Sequence, residues 1–285
     1  MFACIGIRAR TVLVCALALL LLGTASAMPQ AIPVDAKGVA VPIIMYHSVL
    51  RDPARAGAYI LSPDTVEEDL RYLKQRGYTS LFVCELADAV NKGLPLPERP
   101  VILTFDDGYL NNLTYILPLL EQNDMKAVIS VVGSYSERFS KQPDHNPAYA
   151  HLTWEDISTL ADSGRIEIGN HSYDMHRQTP RKGTRKNRGE SGASYYEALV
   201  RDVGRAQSLL ETHCGLVPTT FTYPYGQISD ESIPILRGMG FTALLTCYER
   251  VNYISGDPDV LFSLGRFNPP AHISTEAFMK KLGIR

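Results

Sequence analysis

Short apolar runs alternate with amphipathic stretches along most of this 285-residue chain, and that alternation restricts the fold more than any other feature. Runs over residues 42–47, 101–105, 127–132, 165–168, 219–222 and 242–246 predict strands. Residues 63–76, 84–91, 112–122, 154–163, 195–212, 230–239 and 275–282 predict helices. Helix starts are marked by Ser62 before Pro63, Thr153 three residues before Asp156, and Ser229 before Asp230. Gly77, Gly164, Gly215 and Gly240 each follow a helical pattern, where a C-terminal cap is expected. Strand and helix in regular alternation predict an α/β fold on a parallel sheet, either open or closed into a barrel.

In both architectures ligands sit at the carboxyl ends of the strands. Four polar clusters fall there: His47 after residues 42–46, Asp106-Asp107 after 101–105, His171 after 166–170, and Tyr223-Pro224-Tyr225-Gly226 after 219–222. Two adjacent carboxylates at the mouth of a buried strand are costly unless something neutralises them. A metal held by one carboxylate, with the other free to move a proton, removes the conflict. Two histidines and an aspartate with open positions make a catalytic rather than structural site of the zinc type. The expected ligands are Asp107, His171 and His176; the five-residue step between the histidines suits a loop that curls round an ion rather than one helical face. Asp106 is the expected general base, acting on a water whose pKa the ion brings down to about 7. The Pro224-Tyr225-Gly226 turn is a source of a backbone donor for a developing oxyanion.

A net charge of −2 gives no reason to expect a nucleic-acid partner. The amino terminus is distinctive. Arg8 and Arg10 precede the apolar run 12–22, followed by Ala25-Ser26-Ala27, the order of a secretory signal peptide cleaved after Ala27. The run is about half the roughly 20 residues a spanning helix needs, so no stable membrane span is expected after cleavage, with an uncleaved amino-terminal anchor as the second reading. The domains are then a signal peptide at 1–27, a linker at 28–40 and a catalytic domain at 41–285, exported to the periplasm, cell envelope or medium. Cleavage removes Cys4 and Cys15 and leaves Cys84, Cys214 and Cys247, enough for at most one disulfide and more simply read as core residues.

Thr104-Phe105-Asp106-Asp107-Gly108, His171…His176 and Tyr223-Pro224-Tyr225-Gly226 resemble, in order and spacing, the first three motifs of the polysaccharide deacetylase family (the NodB-homology domain, carbohydrate esterase family four). The resemblance runs from about residue 41 to 270. It implies a distorted (β/α) barrel and metal-dependent removal of acetyl groups from a glycan, with Zn2+ the expected ion and Co2+, Ni2+ or Mn2+ as substitutes. It also implies Asp106 as base, Asp107, His171 and His176 as ligands, and the Tyr225 backbone N–H in the oxyanion hole.

The chain departs from the family pattern in three places. Thr222 stands where the third motif usually begins with an arginine that positions the base; Arg266, in Leu264-Gly265-Arg266-Phe267-Asn268, is the expected substitute. No Leu-x-His motif is visible near the carboxyl terminus, where His272 is the only histidine and Pro269-Pro270 argues against a strand. Ile43-Ile44-Met45-Tyr46-His47 has that motif's form, so a circular permutation is expected, with His47 protonating the leaving amine. The motif that brings a tryptophan to the site is missing, and Trp154 reads as structural. The permuted pattern resembles the exported deacetylases that act on poly-β-1,6-N-acetylglucosamine.

The expected substrate is an N-acetylglucosamine polymer or peptidoglycan, taken by a monomer. An O-acetyl esterase acting on a glycan such as xylan is the second reading, and a non-catalytic carbohydrate-binding homologue the third. The segment 177–188 holds six basic residues directly after His176, which reads either as a solvated loop or as a rim attracting an anionic polymer.

Overall fold

The computed structural model describes residues 31–32 and 38–285. The signal peptide with Cys4 and Cys15, and most of the linker, lie outside the described residues. Seven strands form one parallel sheet; the short Thr79–Ser80 pairs off its main path with Pro100–Val101, and the other six are β1 (Ile43–Tyr46), β2 (Pro100–Phe105), β3 (Ala127–Val131), β4 (Ile166–Asn170), β5 (Thr220–Thr222) and β6 (Ala243–Leu245). They lie in chain order across the sheet, every neighbouring pair parallel. All six residues of β2 and all five of β3 are buried, as parallel strands covered on both faces require. Alternate residues enter different clusters: Ile44, Leu103 and Ile129 pack in one, and Ile43, Ile102 and Val128 in the other.

The sheet curls until its two edges meet a short segment after β6. Leu264 pairs with β6 (Leu264 N to Leu244 O 3.0 Å, Thr246 N to Leu264 O 2.8 Å), and Phe267 pairs with β1 (Phe267 N to Ile43 O 2.9 Å, Met45 N to Phe267 O 2.8 Å). Gly265 and Arg266 lie between these bridges. A Cβ on Gly265 would meet the Tyr248 carbonyl at 2.5 Å, so this close passage requires glycine.

The helices are α1 (Pro63–Gln75), α2 (Val83–Lys92), α3 (Leu117–Asn123), α4 (Gly133–Lys141), α5 (Trp154–Asp162), α6 (Gly192–Cys214), α7 (Ser232–Gly238) and α8 (Thr275–Lys281). Ser62 caps α1 by accepting from Thr65 N, and Thr153 and Asp156 form a reciprocal capping box on α5. Such caps stabilise by about 1 kcal/mol each. The four marked glycines take φ of 73, 67, 67 and 94°.

Ser229 does not cap α7, which begins at Ser232 with no side-chain cap; the structure departs from the sequence expectations in three further places. Residues 112–122 are not one α-helix: Asn112–Ile116 widens into a π-turn before α3, because Pro118 has no N–H for a regular helical bond. Helix α4 carries no apolar stripe to announce it, burying only Gly133, Ser136 and Phe139. Within the stretch read as a linker, Ala31–Ile32 pairs with Leu96–Pro97, and Val39–Val41 pairs with Asn252–Ile254. These pairings join segments distant in sequence and leave no local periodicity.

Candidate active site

The carboxyl ends of the strands deliver His47, Asp106, Asp107, His171 and Tyr225 to one cleft of about 780 Å³, which His176 and Cys247 also line. Asp107 follows β2 with φ of 72°, a left-handed value imposed on a residue with a Cβ. Four non-glycine residues among those described have positive φ, and three of them, Asp107, Ser172 and Tyr225, lie at this cleft or next to a residue that does. Each such conformation costs about 1–3 kcal/mol, and strain concentrated in this way marks a working site.

Asp107, His171 and His176 offer ligand atoms that all lie within 4.8 Å of one another. Asp107 Oδ1 is 3.0 Å from His176 Nε2 and 3.5 Å from His171 Nε2. His171 Nδ1 donates to the Thr222 carbonyl at 2.7 Å, which leaves Nε2 as a lone pair in the neutral ring. Asp107 Oδ1 is buried without a hydrogen-bond partner of good geometry. The facing lone pairs repel unless positive charge lies between them, so the donor set fits a divalent cation. The same demand shows in protonation. Burial lowers the His171 pKa, but the adjoining Asp107 carboxylate and the charge of Asp106 outweigh it and raise it overall.

The His171–His176 loop is held by α6, whose Asp202 accepts from Tyr173 N (2.9 Å) and Asp174 N (3.0 Å). Tyr225 packs over His176, ring centres 4.4 Å apart.

Asp106 is gripped from the barrel interior. Arg266, with no exposed surface, donates two parallel hydrogen bonds to it, Nη1 to Oδ1 at 2.7 Å and Nη2 to Oδ2 at 2.8 Å. Its Nε donates to the Thr246 carbonyl at 2.9 Å, and Nη1 also reaches Thr104 Oγ1 at 3.1 Å. Burial pushes the Asp106 carboxyl up, but the Arg266 charge and hydrogen bonds more than offset this and hold it below the usual carboxylate range. His47 Nε2 lies 3.9 Å from Asp106 Oδ2. Burial lowers the His47 pKa, against the pull of Asp106 and Asp107.

The residues expected as a site are therefore brought together. Thr222, in the position where the resemblance places an arginine, instead bonds Ser130 at 2.7 Å, and Arg266 reaches Asp106 from the segment that joins the two edges of the sheet. His272 is exposed and lies outside the cleft lining, and Trp154 stacks on His213 away from it. Cys84, Cys214 and Cys247 form no disulfide among the described residues.

Three supporting residues escaped the sequence reading. Asn112 Nδ2 donates to the His47 carbonyl at 3.0 Å, and the neighbouring Asn111 accepts from Val49 N at 3.0 Å, so the loop after β2 clamps the loop after β1. His151 Nδ1 donates to the Asp107 carbonyl at 2.9 Å, with its ring between Tyr109 and Tyr135. Burial lowers the His151 pKa, which favours the neutral ring. Asn111 and Asn112 stand four and five residues after Asp107, a polar pair at the start of the 112–122 helix pattern that could have drawn notice; His151 has no local signal.

A family model described as polysaccharide deacetylase matches residues 93–244. The poly-beta-1,6-N-acetyl-D-glucosamine N-deacetylase of Escherichia coli (strain K12) is 26% identical over 224 residues, covering 71% of this chain and 33% of the relative. The chain thus spans about a third of that protein's length. The putative polysaccharide deacetylase YxkH of Bacillus subtilis (strain 168) is 25% identical over 208 residues, 72% of this chain and 63% of the relative. Among solved structures, a de-N-acetylase from Aggregatibacter actinomycetemcomitans superposes with a TM-score of 0.71 at 25% identity, covering 85% of this chain and 100% of that one. IcaB from Ammonifex degensii gives 0.68 at 24%, covering 87% and 97%, and shows the same fold.

Proposed function

The chain belongs to the polysaccharide deacetylase family, and from that premise we propose that it is an exported, metal-dependent hydrolase that removes N-acetyl groups from an N-acetylhexosamine polymer, acting as a monomer. The observation that carries this reading is the placement of two differently tuned groups beside one cation-demanding trio: Asp106 held ionised by Arg266, and His47 3.9 Å from it. Asp107, His171 and His176 would hold the ion, with Zn2+ the best match to two imidazoles and a carboxylate and Co2+, Ni2+ or Mn2+ able to substitute. When bound, it supplies a lowered water pKa and polarisation of the acetyl carbonyl.

The chain's own residues account for the proton traffic. Asp106, ionised and fixed by the guanidinium fork, accepts the proton of the attacking water. The Tyr225 N–H, presented by a backbone at φ of 56°, donates to the oxygen that gains charge. His47, in its protonated form, gives its proton to the departing nitrogen; the pKa lowering by burial makes that imidazolium a stronger acid. The products are acetate and a free amine. The proton left on Asp106 passes across the short gap to His47 Nε2 and resets both groups. In this proposal β1 fills the place of the family's usual last strand. An amide needs such an acid more than an ester does, which is why N-deacetylation is preferred over O-deacetylation.

Export rests on the amino-terminal signal pattern. No helix among the described residues is long and apolar enough to cross a membrane.

Acetate release from β-1,4 and β-1,6 N-acetylglucosamine oligomers, peptidoglycan and acetylated xylan tests the reading, with and without chelator and beside Asp106→Asn and His47→Ala. Chelator-sensitive acetate from an N-acetylated polymer, lost in Asp106→Asn, is the expected result. Absence of metal-dependent acetate from all four would sink the proposal. Full amide cleavage by His47→Ala would remove His47 as the acid.

A further inference from the structure

The basic loop after His176 is a built surface. Lys182, Arg185, Lys186, Asn187 and Arg188 line a concavity of about 480 Å³ that no carboxylate lines. Three neighbouring cations are neutralised: Arg177 by Asp174 at 2.6 Å, Lys186 by Glu231 at 2.7 Å, and Arg181 by Glu190. Lys182, Arg185 and Arg188 are exposed and make no ion pair among the described residues. The chain as a whole has a net charge of −2, so this concentration is local.

Unpaired like charges repel, and a solvated loop would spread them apart. Here buried anchors oppose that spreading. Thr184 has no exposed surface, donates from Oγ1 to the Gln227 carbonyl at 3.0 Å, and accepts from the buried Tyr195 hydroxyl at 2.8 Å. Lys186 N donates to Ser229 Oγ at 3.0 Å and Asn187 N to Glu190 at 2.9 Å. Gly183 runs so close to the Pro224-Tyr225 turn that a Cβ would meet the Pro224 carbonyl at 2.5 Å. The loop leaves the catalytic cleft at Gln178, which lines it, and returns against the turn that carries Tyr225.

We propose that Lys182, Arg185 and Arg188 form an anion-binding exosite beside the cleft, and that the polymer deacetylated here carries acidic groups as well as N-acetylhexosamine. The proposal rests on the deacetylase reading for what the cleft does. A neutral poly-N-acetylhexosamine gains nothing from this loop, and the amines produced from it would be repelled. A glycan bearing carboxylate or phosphate gains attraction before the reaction and stays near neutrality after it.

Fluorescence anisotropy of end-labelled oligomers of equal length tests the exosite without requiring turnover. The probes are a neutral N-acetylglucosamine oligomer, a hyaluronate oligosaccharide in which N-acetylglucosamine alternates with a carboxylate sugar, and a 6-phosphorylated N-acetylglucosamine oligomer. The proteins are the wild type, Lys182→Gln/Arg185→Gln/Arg188→Gln, and a charge-matched control, Lys74→Gln/Lys92→Gln/Arg201→Gln. The exosite variant should lose roughly tenfold or more in affinity for an acidic oligomer at low salt, a difference that closes near 1 M salt, where screening falls to about 3 Å. The control should bind like the wild type, and the carboxylate and phosphate arms identify which acid is preferred. Equal binding of acidic oligomers by all three proteins overturns the proposal. So does salt-sensitive binding of the wild type to phosphatidylglycerol vesicles without binding to either acidic oligomer, which would make the loop a membrane contact. Acetate release is assayed separately: its absence from every polymer, with the binding difference intact, would remove the deacetylase reading and leave the exosite.

Discussion

Replacing Arg266 by Met is the sharpest test of how Asp106, the proposed base, is held. The substitution keeps most of the volume and deletes the charge opposite Asp106, which is 2% exposed. Two charge-assisted hydrogen bonds, at 2.7 and 2.8 Å, disappear together, and the arginine that makes them has no exposed surface. Removing one partner of a buried ion pair costs about 3–5 kcal/mol, because the other charge is stranded. The sign of the pH dependence follows from the same geometry. In the wild type the Asp106 pKa is depressed, so the pair's contribution is present above the unfolded carboxylate pKa and is lost as pH falls through the folded one. In Arg266→Met the largest remaining influence is burial, which raises the pKa above its unfolded value. The variant therefore recovers stability on acidification as Asp106 becomes neutral.

Urea unfolding of both proteins at pH 7 and pH 4.5 reads the difference directly, with equal m-values confirming that the same surface is exposed. A gap of about 3–5 kcal/mol at neutral pH, narrowing at acid pH, is expected. The double variant Asp106→Leu/Arg266→Met should regain much of the loss, since no charge remains stranded. Acetate release by Arg266→Met should fall by roughly 10²–10⁴, the span general-base catalysis supplies. A gap below about 1 kcal/mol that does not change with pH would refute the argument, because it would mean that Asp106 does not depend on this pairing for its charge.

Two further expectations follow from groups outside the reacting set. Burial pushes Asp69 up to about 6, against hydrogen bonds from Thr275 and Tyr46 at 2.6 and 2.8 Å. Its contribution is fully present below the unfolded carboxylate pKa and lost as pH rises through about 6, a swing of order 3 kcal/mol. Thermal denaturation between pH 4 and 7 should show that slope in the wild type and its flattening in Asp69→Asn; identical slopes would contradict it. His151→Phe should weaken metal binding by roughly 10–100-fold, the usual effect of losing an outer partner of a ligand, measured by chelator competition on the folded protein. His151→Gln, which can still donate to the Asp107 carbonyl, should recover part of that affinity, and no recovery would argue for a packing role alone.

The barrel strands and most helices were legible because their signals are local. Strands β1, β2 and β3 are short, mostly apolar runs, and the capped helices α1 and α5 carry their start residues in sequence. What escaped depends on contacts between distant segments. The pairing of Val39–Val41 with Asn252–Ile254 spans most of the chain, and Gly133–Lys141 is helical without an apolar stripe to declare it.

The site divides along the same line. Asp106, Asp107, His171 and His176 are legible because strand ends and loops set their positions within a few residues. Arg266 was reached only through the family resemblance, as a substitute for the arginine missing at Thr222, since its contact with Asp106 spans 160 residues of sequence. What Asp106 requires is a guanidinium at one point in space rather than at one point in the chain. In a closed sheet two strand ends can supply that point: the one after β5, where Thr222 stands, and the Leu264–Phe267 segment that joins β6 to β1. Placing the charge on the second leaves room for Thr222 to bond Ser130 and for the Thr222 carbonyl to orient His171 at 2.7 Å. Moving the arginine back to position 222 in an Arg266→Met background would therefore not restore activity by itself. The new side chain would displace the Ser130 contact at the residue whose carbonyl orients His171, the proposed metal ligand.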